Sequence, residues 1–342
     1  MSSMHAVLLA GGQGTRLRPL TNARPKPLVP FMGAPFAAGL LGNLKRAGFT
    51  RASILVGADP TPFGPLVRVG ERLGVDVRIV PEDEPLDTAG SARRLLAGSG
   101  ERDVLVCNGD VLTDVPYEQL VDTHRRSGAD ATLSLMRVPD TSSYGVVEVG
   151  PDCRVRSFLE KPPPGTTDHD TVNAGAYVLN TSVFDAFPDG ALSFERDVFP
   201  GLLKAGAKIV GSVPSAYWQD LGTPERLRHG HRAVLAGRCR WPWQEGLESR
   251  RPLVAVHREA TVDPSARLGG PVVIGRRCRV GPRAVVSDSV LFDGAQIGPD
   301  AAVRESVVGT DAVVWSHAVV GPDQVVADRE VVHPAARPVV GG

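Results

Sequence analysis

The run Leu9-Ala10-Gly11-Gly12-Gln13-Gly14-Thr15-Arg16 gathers residues suited to holding phosphate. Its glycines let the backbone bend and bring successive N–H groups toward phosphate oxygens, and Arg16 adds positive charge. Alone, such a turn is compatible with several unrelated chemistries. It is not a Walker A motif, because no Gly-Lys-Ser/Thr follows, and it lacks the GxGxxG spacing of a dinucleotide fingerprint. Lysine is scarce in the chain, occurring only at Lys26, Lys45, Lys161, Lys204 and Lys208. Two of these stand in tight proline contexts, Pro25-Lys26-Pro27 and Glu160-Lys161-Pro162, which fix the local backbone and suit a presented cation. The plainer reading of each is a solvated surface lysine.

These residues need elements to place them. Up to about residue 235, short apolar runs alternate with amphipathic stretches. Strands are expected at 5–9, 52–56, 77–80 and 104–107, with helices at 36–47, 65–73, 88–97 and 117–126. This spacing indicates an α/β fold: a Rossmann-like, mostly parallel sheet covered on both faces. Ligands of such sheets sit beyond the carboxyl ends of the strands. The first and fourth expected strands run directly into the glycine loop and into Asn108-Gly109-Asp110, which puts both segments at the ligand edge.

From about residue 260 the pattern changes. Val262, Leu268, Ile274, Val280 and Val286 recur every six residues. After a slip the series resumes at Ile297, Val303, Val308, Val313 or Val314, and Val319 or Val320. A hexapeptide period marks a left-handed parallel β-helix with aliphatic residues pointing inward; a valine-rich sandwich is the alternative. The expected organisation is a domain at 1–236, a connector at 237–258 containing Trp241-Pro242-Trp243, and a repeat domain at 259–335.

Composition narrows the class. Lys plus Arg and Asp plus Glu are 38 each, which argues against a general nucleic-acid or membrane-surface binder. Cys107, Cys153, Cys239 and Cys278 show no CxxC pair or metal-ligand spacing, so reduced thiols are expected. No apolar run reaches the length of a membrane span, and residues 6–10 are too short for a signal-peptide core. A cytoplasmic protein is expected.

Gly11-Gly12-Gln13-Gly14-Thr15-Arg16-Leu17 with Pro25-Lys26-Pro27 resembles the signature of sugar-1-phosphate nucleotidylyltransferases. Further segments follow in the family's order. Leu86-Asp87-Thr88-Ala89-Gly90 resembles the base-binding turn and Asn108-Gly109-Asp110 the metal-binding turn. Tyr144-Gly145, Phe158-Leu159-Glu160-Lys161-Pro162 and Asn173-Ala174-Gly175-Ala176-Tyr177 resemble sugar-pocket segments, and Trp218-Gln219-Asp220-Leu221-Gly222-Thr223-Pro224 closes the set. A hexapeptide tail is similar to that of the mannose-1-phosphate guanylyltransferase branch.

The resemblance implies attack of a sugar 1-phosphate oxygen on the α-phosphorus of a nucleoside triphosphate, with release of pyrophosphate. The nucleophile is already an anion, so alignment and charge neutralisation matter more than a strong base. Mg²⁺ would be held by Asp110 and Asp220, although Asn-Gly-Asp is also good turn chemistry and Asp220 could cap a helix. Thr223 ahead of Pro224 is the better cap. Arg16 and Lys26 would hold the triphosphate, and Lys161 the sugar's phosphate. Leu9, Ala10, Gly11, Gly12, Gly14, Thr15, Asp87, Thr88, Ala89, Gly90, Asn108 and Gly109 would line the nucleotide site. Tyr144, Gly145, Glu160, Asn173, Gly175 and Tyr177 would line the sugar pocket. Glu195 lies in another family-like segment, with a salt bridge as its alternative duty.

Asp87 stands where the family usually has glycine. Its carboxylate could accept from guanine N1–H and amine, or cap the following helix, and some uridylyltransferases carry a similar turn. Gly90 leaves room for a purine, which favours GTP; uridylyl or thymidylyl transfer is the alternative. The sugar stays open among mannose, glucose, heptose and cyclitol types. Rival readings are an acyltransferase using His317 in the repeats and a non-catalytic sugar-nucleotide-binding regulator. The repeat domain is expected to serve assembly or regulation in a homo-oligomer.

Overall fold

The computed structural model describes residues 4–163 and 165–335, and these form two compact units. One runs up to Gly12 and resumes from Leu40 to Trp218; the other takes Gln13–Gly39 and the chain from Gln219 onward. The division does not follow the change of sequence pattern near residue 237, because Gln13–Gly39 groups with the repeats.

The first unit is built on a nine-stranded sheet. Its strands are β1 (His5–Leu9), β2 (Arg51–Val56), β3 (Asp76–Pro81), β4 (Asp103–Asn108), β5 (Ala131–Arg137), β6 (Gly145–Val149), β7 (Val155–Glu160), β8 (Thr171–Asn180) and β9 (Ile209–Ser212). The helices of the chain are α1 (Phe36–Arg46), α2 (Gly64–Leu73), α3 (Asp87–Leu96), α4 (Tyr117–Ser127), α5 (Phe199–Lys204) and α6 (Pro224–Leu235). The order across the sheet is β7-β6-β8-β4-β1-β2-β3, with β5 beside β8 and β9 beside β5. Strands β4, β1, β2 and β3 are parallel. They are near-continuous apolar runs because a parallel sheet is covered on both faces; Ala6, Val7, Ile54, Val104 and Val106 are wholly buried. Strand β8 returns antiparallel beside β4 and begins an antiparallel extension. Helices α2 and α4 end on Gly74 and Gly128 in the left-handed conformation.

In the second unit the repeats stack in parallel on three faces. Val262, Val280, Ile297, Val314 and Val332 lie in register on one face. Leu268, Val286, Val303 and Val320 form the second, and Ile274, Leu291, Val308 and Val326 the third. This is the β-helix that the hexapeptide period indicates. The slip in the period has a physical origin. Successive partners advance by 18 residues (262 to 280) or by 17 (280 to 297), so some coils are one residue shorter at a corner. Leu291 therefore occupies the inward row one residue before a strict hexad would place it. Of the alternatives left by the sequence, Val314 and Val320 point inward, whereas Val319 is 63% exposed.

The stretch at 237–258 is more than a tether. It carries a hairpin of Leu247–Arg251 with Val254–His257. Val254, Ala255 and Val256 already pair with Val272, Val273 and Ile274 in the parallel stack. Trp241 is buried, stacked on Phe36 with ring centroids 5.1 Å apart and edge-on to Phe31 at 5.2 Å. That packing joins Gln13–Gly39 to the repeat unit.

Candidate active site

At the carboxyl ends of the parallel strands lies a cavity of about 330 Å³, lined by Leu9, Ala10, Gly11, Gly12, Asp87, Thr88, Asn108 and Asp110. Strands β1 and β4 are neighbours with Leu9 opposite Asn108, so the glycine loop and Asn108-Gly109-Asp110 emerge side by side. Gly109 lets them approach. Its N–H donates to the Leu9 carbonyl at 2.8 Å, and a side chain there would lie 2.6 Å from that oxygen. Gly175, at φ +74, brings Asn108 against the turn of β8, where a Cβ would fall 2.6 Å from the Asn108 amide nitrogen. A larger cleft of about 790 Å³ behind α3, bordered by Arg93, Ala97, Phe184 and Gly190, lies away from these strand ends. Of the expected site residues, only Gly90 touches it.

Asp87 begins α3 with φ +59. One carboxylate oxygen accepts the Thr88 N–H at 2.7 Å, and the other pairs with Arg196. It lines the cavity and covers the helix start at once. The room expected beside Gly90 is filled: a Cβ there would lie 2.5 Å from the Gly190 carbonyl oxygen. Ala89 and Gly90 both donate their N–H groups to the Leu192 carbonyl, at 2.8 and 2.9 Å. These two residues lock α3 against the following chain and leave no N–H for a nucleotide. Gly90 therefore makes no space for a purine, contrary to the expectation from its size.

Beside the antiparallel strands, the Lys161 ammonium pairs with Glu160 at 2.5 Å and is largely exposed. Gly145 faces this carboxylate closely, since a Cβ would meet Glu160 Oε2 at 2.8 Å. The Tyr144 carbonyl accepts the Lys161 N–H at 3.1 Å, and its ring lies edge-on to Trp218 at 5.1 Å. The Trp218 indole donates to the Ala174 carbonyl at 2.9 Å. Asn173 accepts the Gly175 N–H at 3.0 Å and donates to the Tyr177 hydroxyl at 2.7 Å. Tyr177 does not line a pocket. It is wholly buried in the core, and its hydroxyl donates to Glu195 at 3.0 Å; burial and the Glu195 charge push its ionisation well above the usual range. Its part is to hold Asn173 and Glu195. Glu195 makes no ion pair among the described residues and instead accepts from Tyr177, Ser193 and Thr88.

In the second unit, Asp220 is ringed by cations. Arg226 lies 2.9 Å away, Lys26 3.3 Å and Arg16 3.6 Å. Thr223, not Asp220, caps α6: its hydroxyl accepts the Arg226 N–H at 3.2 Å, with Pro224 in the first turn. Gly14 and Thr15 belong to this unit. The Gly14 carbonyl accepts from the Thr21 hydroxyl at 2.9 Å, and Thr15 is exposed in a short 3₁₀ turn with Arg16.

Two contributors are not evident from sequence motifs. Glu82 lines the cavity just past the end of β3, where the strand-end rule could have found it. Arg226 needed α6 to turn it back onto Asp220, six residues earlier. His317 is an exposed coil corner with φ +63, one of a series with Arg283, Asp300 and Asp311. Among the described residues no three His, Cys, Asp or Glu side chains cluster as a metal cage. Cys107, at the end of β4, is buried, which pushes its thiol up to about 12 and removes it as a nucleophile.

A fold with strand ends converging on a glycine loop and a carboxylate defines a nucleotide-handling class. The Nucleotidyl transferase family pattern matches residues 5–237, and the GMPPB C-terminal domain pattern matches residues 251–337. The chain belongs to the nucleotidyl transferase family and is a nucleotidyltransferase. It is 39% identical over 294 residues to a mannose-1-phosphate guanylyltransferase of Mycobacterium tuberculosis, covering 85% of this chain and 80% of that protein. It is 32% identical to a probable mannose-1-phosphate guanylyltransferase 3 of Oryza sativa, covering 91% and 87%. HddC from Yersinia pseudotuberculosis, solved in complex with GMP-PN, superposes with a TM-score of 0.57 at 28% identity, covering 66% of this chain and 97% of that one. Among the described residues no helix is long and apolar enough to cross a membrane.

Proposed function

We propose that the protein transfers GMP from GTP to mannose 1-phosphate, releasing pyrophosphate and forming the nucleoside diphosphate sugar. The carrying observation is likeness to the mycobacterial guanylyltransferase across both the nucleotidyl-transfer region and the repeats. The GMP-PN bound by HddC supports the choice of base.

In this reading Gly11 and Gly12 cradle phosphates at the strand ends, and Arg16 and Lys26 neutralise the triphosphate. Lys161 holds the sugar's phosphate while Glu160 accepts from its hydroxyls. Asp87 accepts from guanine, with Arg196 orienting its carboxylate. Asp110 and Asp220 are the carboxylates proposed for Mg²⁺, which when bound supplies neutralisation at phosphate oxygens. A set of one or two carboxylates suits Mg²⁺, which takes its other ligands from phosphate and water. Charge neutralisation and alignment of the attacking oxygen carry the rate. Self-association through the repeat unit and a cytoplasmic location complete the proposal.

Pyrophosphate release with GTP, UTP, dTTP and ATP, each offered with mannose 1-phosphate or glucose 1-phosphate, tests it. GTP with mannose 1-phosphate should be fastest, and a clear preference for UTP or dTTP would reject the base assignment. Asp110→Asn should lower turnover by about 10²-fold or more with the fold intact. No magnesium-dependent release with any pair would favour a non-catalytic binder.

A further inference from the structure

One ion pair that ties the segment around Lys26 to the β-helix is well buried on both sides. Arg24 stands two residues before Lys26. Its guanidinium pairs with Asp328, the two side chains being 19% and 14% exposed, and donates to the Thr310 hydroxyl at 3.1 Å. Asp328 is itself fixed, because its other oxygen accepts the Thr310 N–H from the neighbouring coil at 2.8 Å. Between Arg24 and Lys26 stands only Pro25, whose φ of −57° leaves little freedom. Lys26 then enters a 3₁₀ turn in which Leu28 N–H donates to the Pro25 carbonyl at 2.9 Å. Its stem passes under Gly14, where a Cβ would come within 2.9 Å of Lys26 Cβ. The Lys26 ammonium ends 3.3 Å from Asp220.

A second ion pair ties α6 to the repeats. Arg228 in α6, only 6% exposed, pairs with Asp323, itself 69% exposed, at 2.5 Å and donates to the Asp288 carbonyl at 3.3 Å. Asp288 and Asp323 are corner residues of stacked coils, with φ +46 and +56.

We propose that Arg24 is a positioning residue for Lys26, held by Asp328 of the β-helix, so that the repeat unit completes the phosphate-handling cluster. The inference rests on the reading that Lys26 serves the triphosphate. Surface ion pairs contribute little, but a pair buried this far, with both partners otherwise bonded, fixes one geometry. Displacement of a charged group by about 1 Å is enough to slow a positioned reaction by about 10²-fold. Part of that loss is expected here, since Asp220 still holds the Lys26 ammonium.

The full-length protein is assayed as wild type, Arg24→Ala, Asp328→Ala, the double variant, and the milder Arg24→Lys and Asp328→Asn. Thermal melting is measured beside kcat and KM, with Lys26→Ala as the control. Arg24→Ala and Asp328→Ala should each lower kcat by about tenfold, with KM for the sugar phosphate unchanged. The double variant should be no slower than either single one, and Arg24→Lys should recover part of the rate. The proposal is overturned if kcat stays within twofold of wild type, if the two losses multiply, or if melting falls while kcat holds. Should the alanine variants fail to fold, Asp328→Asn decides by the same criteria. If Lys26→Ala retains full activity, the reading beneath the proposal fails instead.

Discussion

Replacing Glu195 probes the bridge between the start of α3 and strand β8. Its carboxylate accepts from the Tyr177 hydroxyl at 3.0 Å, from Ser193 at 3.1 Å and from Thr88 at 3.3 Å. Tyr177 in turn accepts from Asn173, and Thr88 accepts the Phe194 N–H. A hydrogen bond to a charged group contributes about 1.5–3 kcal/mol, and the Tyr177 bond stands at the upper end because that hydroxyl is wholly buried. The two longer bonds add less. Glu195→Ala should therefore cost about 3 kcal/mol, or roughly 4 °C in melting temperature for a chain of this size. Glu195→Gln preserves shape but presents an amide N–H₂ toward Ser193 and Thr88. Both hydroxyls must then turn to accept, while each already accepts a backbone N–H. That variant should cost about 1 kcal/mol. Because Thr88 lines the cavity and Asn173 belongs to the proposed sugar pocket, kcat/KM should fall about tenfold through both substrates' KM values. Melting curves and initial-rate kinetics in Glu195→Gln, Tyr177→Phe and the double variant measure the coupling, expected at about 1–2 kcal/mol. Additive effects in that cycle, or an unchanged Glu195→Gln, would refute the bridge.

Gly175→Ala should lose about 1–3 kcal/mol, because its φ of +74 strains an L-residue and the new methyl pushes Asn108 aside; urea unfolding together with the KM for nucleotide would show it. Burial holds His231 neutral, lowering it from 6.5 to about 3. The unfolded chain gains a proton near pH 6.5 and the folded chain does not until about 3, so stability falls as pH drops through that window. The loss is about 1.4 kcal/mol per unit, roughly 2 kcal/mol by pH 5. His231→Phe should flatten that slope in urea titrations at pH 7 and 5, and an unchanged slope would contradict the assignment. Of the four cysteines only Cys153 is exposed, so a thiol reagent should label it rapidly and reach Cys107, Cys239 and Cys278 only on unfolding; peptide mapping identifies the labelled residue.

Much was legible because it rests on local periodicity. The strand at His5–Leu9 matches its expected bounds, and the other three parallel strands extend theirs by a residue at one or both ends. Continuous apolar runs before glycine or asparagine turns admit few other readings. The hexapeptide rows were equally plain, and only the corner lengths were hidden, since a coil of 17 or 18 residues buries the same three side chains. Gly90 misled for a matching reason: a missing side chain reveals that something approaches closely, but not whether it is a ligand or the Gly190 backbone. Tyr177 misled because a motif position does not tell which face of β8 points into the core.

The sequence by itself determined the α/β pattern and the coil faces, and it supplied the proposed phosphate-holding groups, the glycine loop, Lys26 and Lys161, with Asp110 and Asp220 as the proposed metal carboxylates. Tertiary structure decided which of them meet and what each touches. Arg226, Lys26 and Arg16 converge on Asp220, Glu195 joins Thr88 to Tyr177, and Arg24 reaches Asp328 some 304 residues away. Periodicity is a property of neighbours in the chain, whereas charge pairing and steric fit depend on distances that only packing sets.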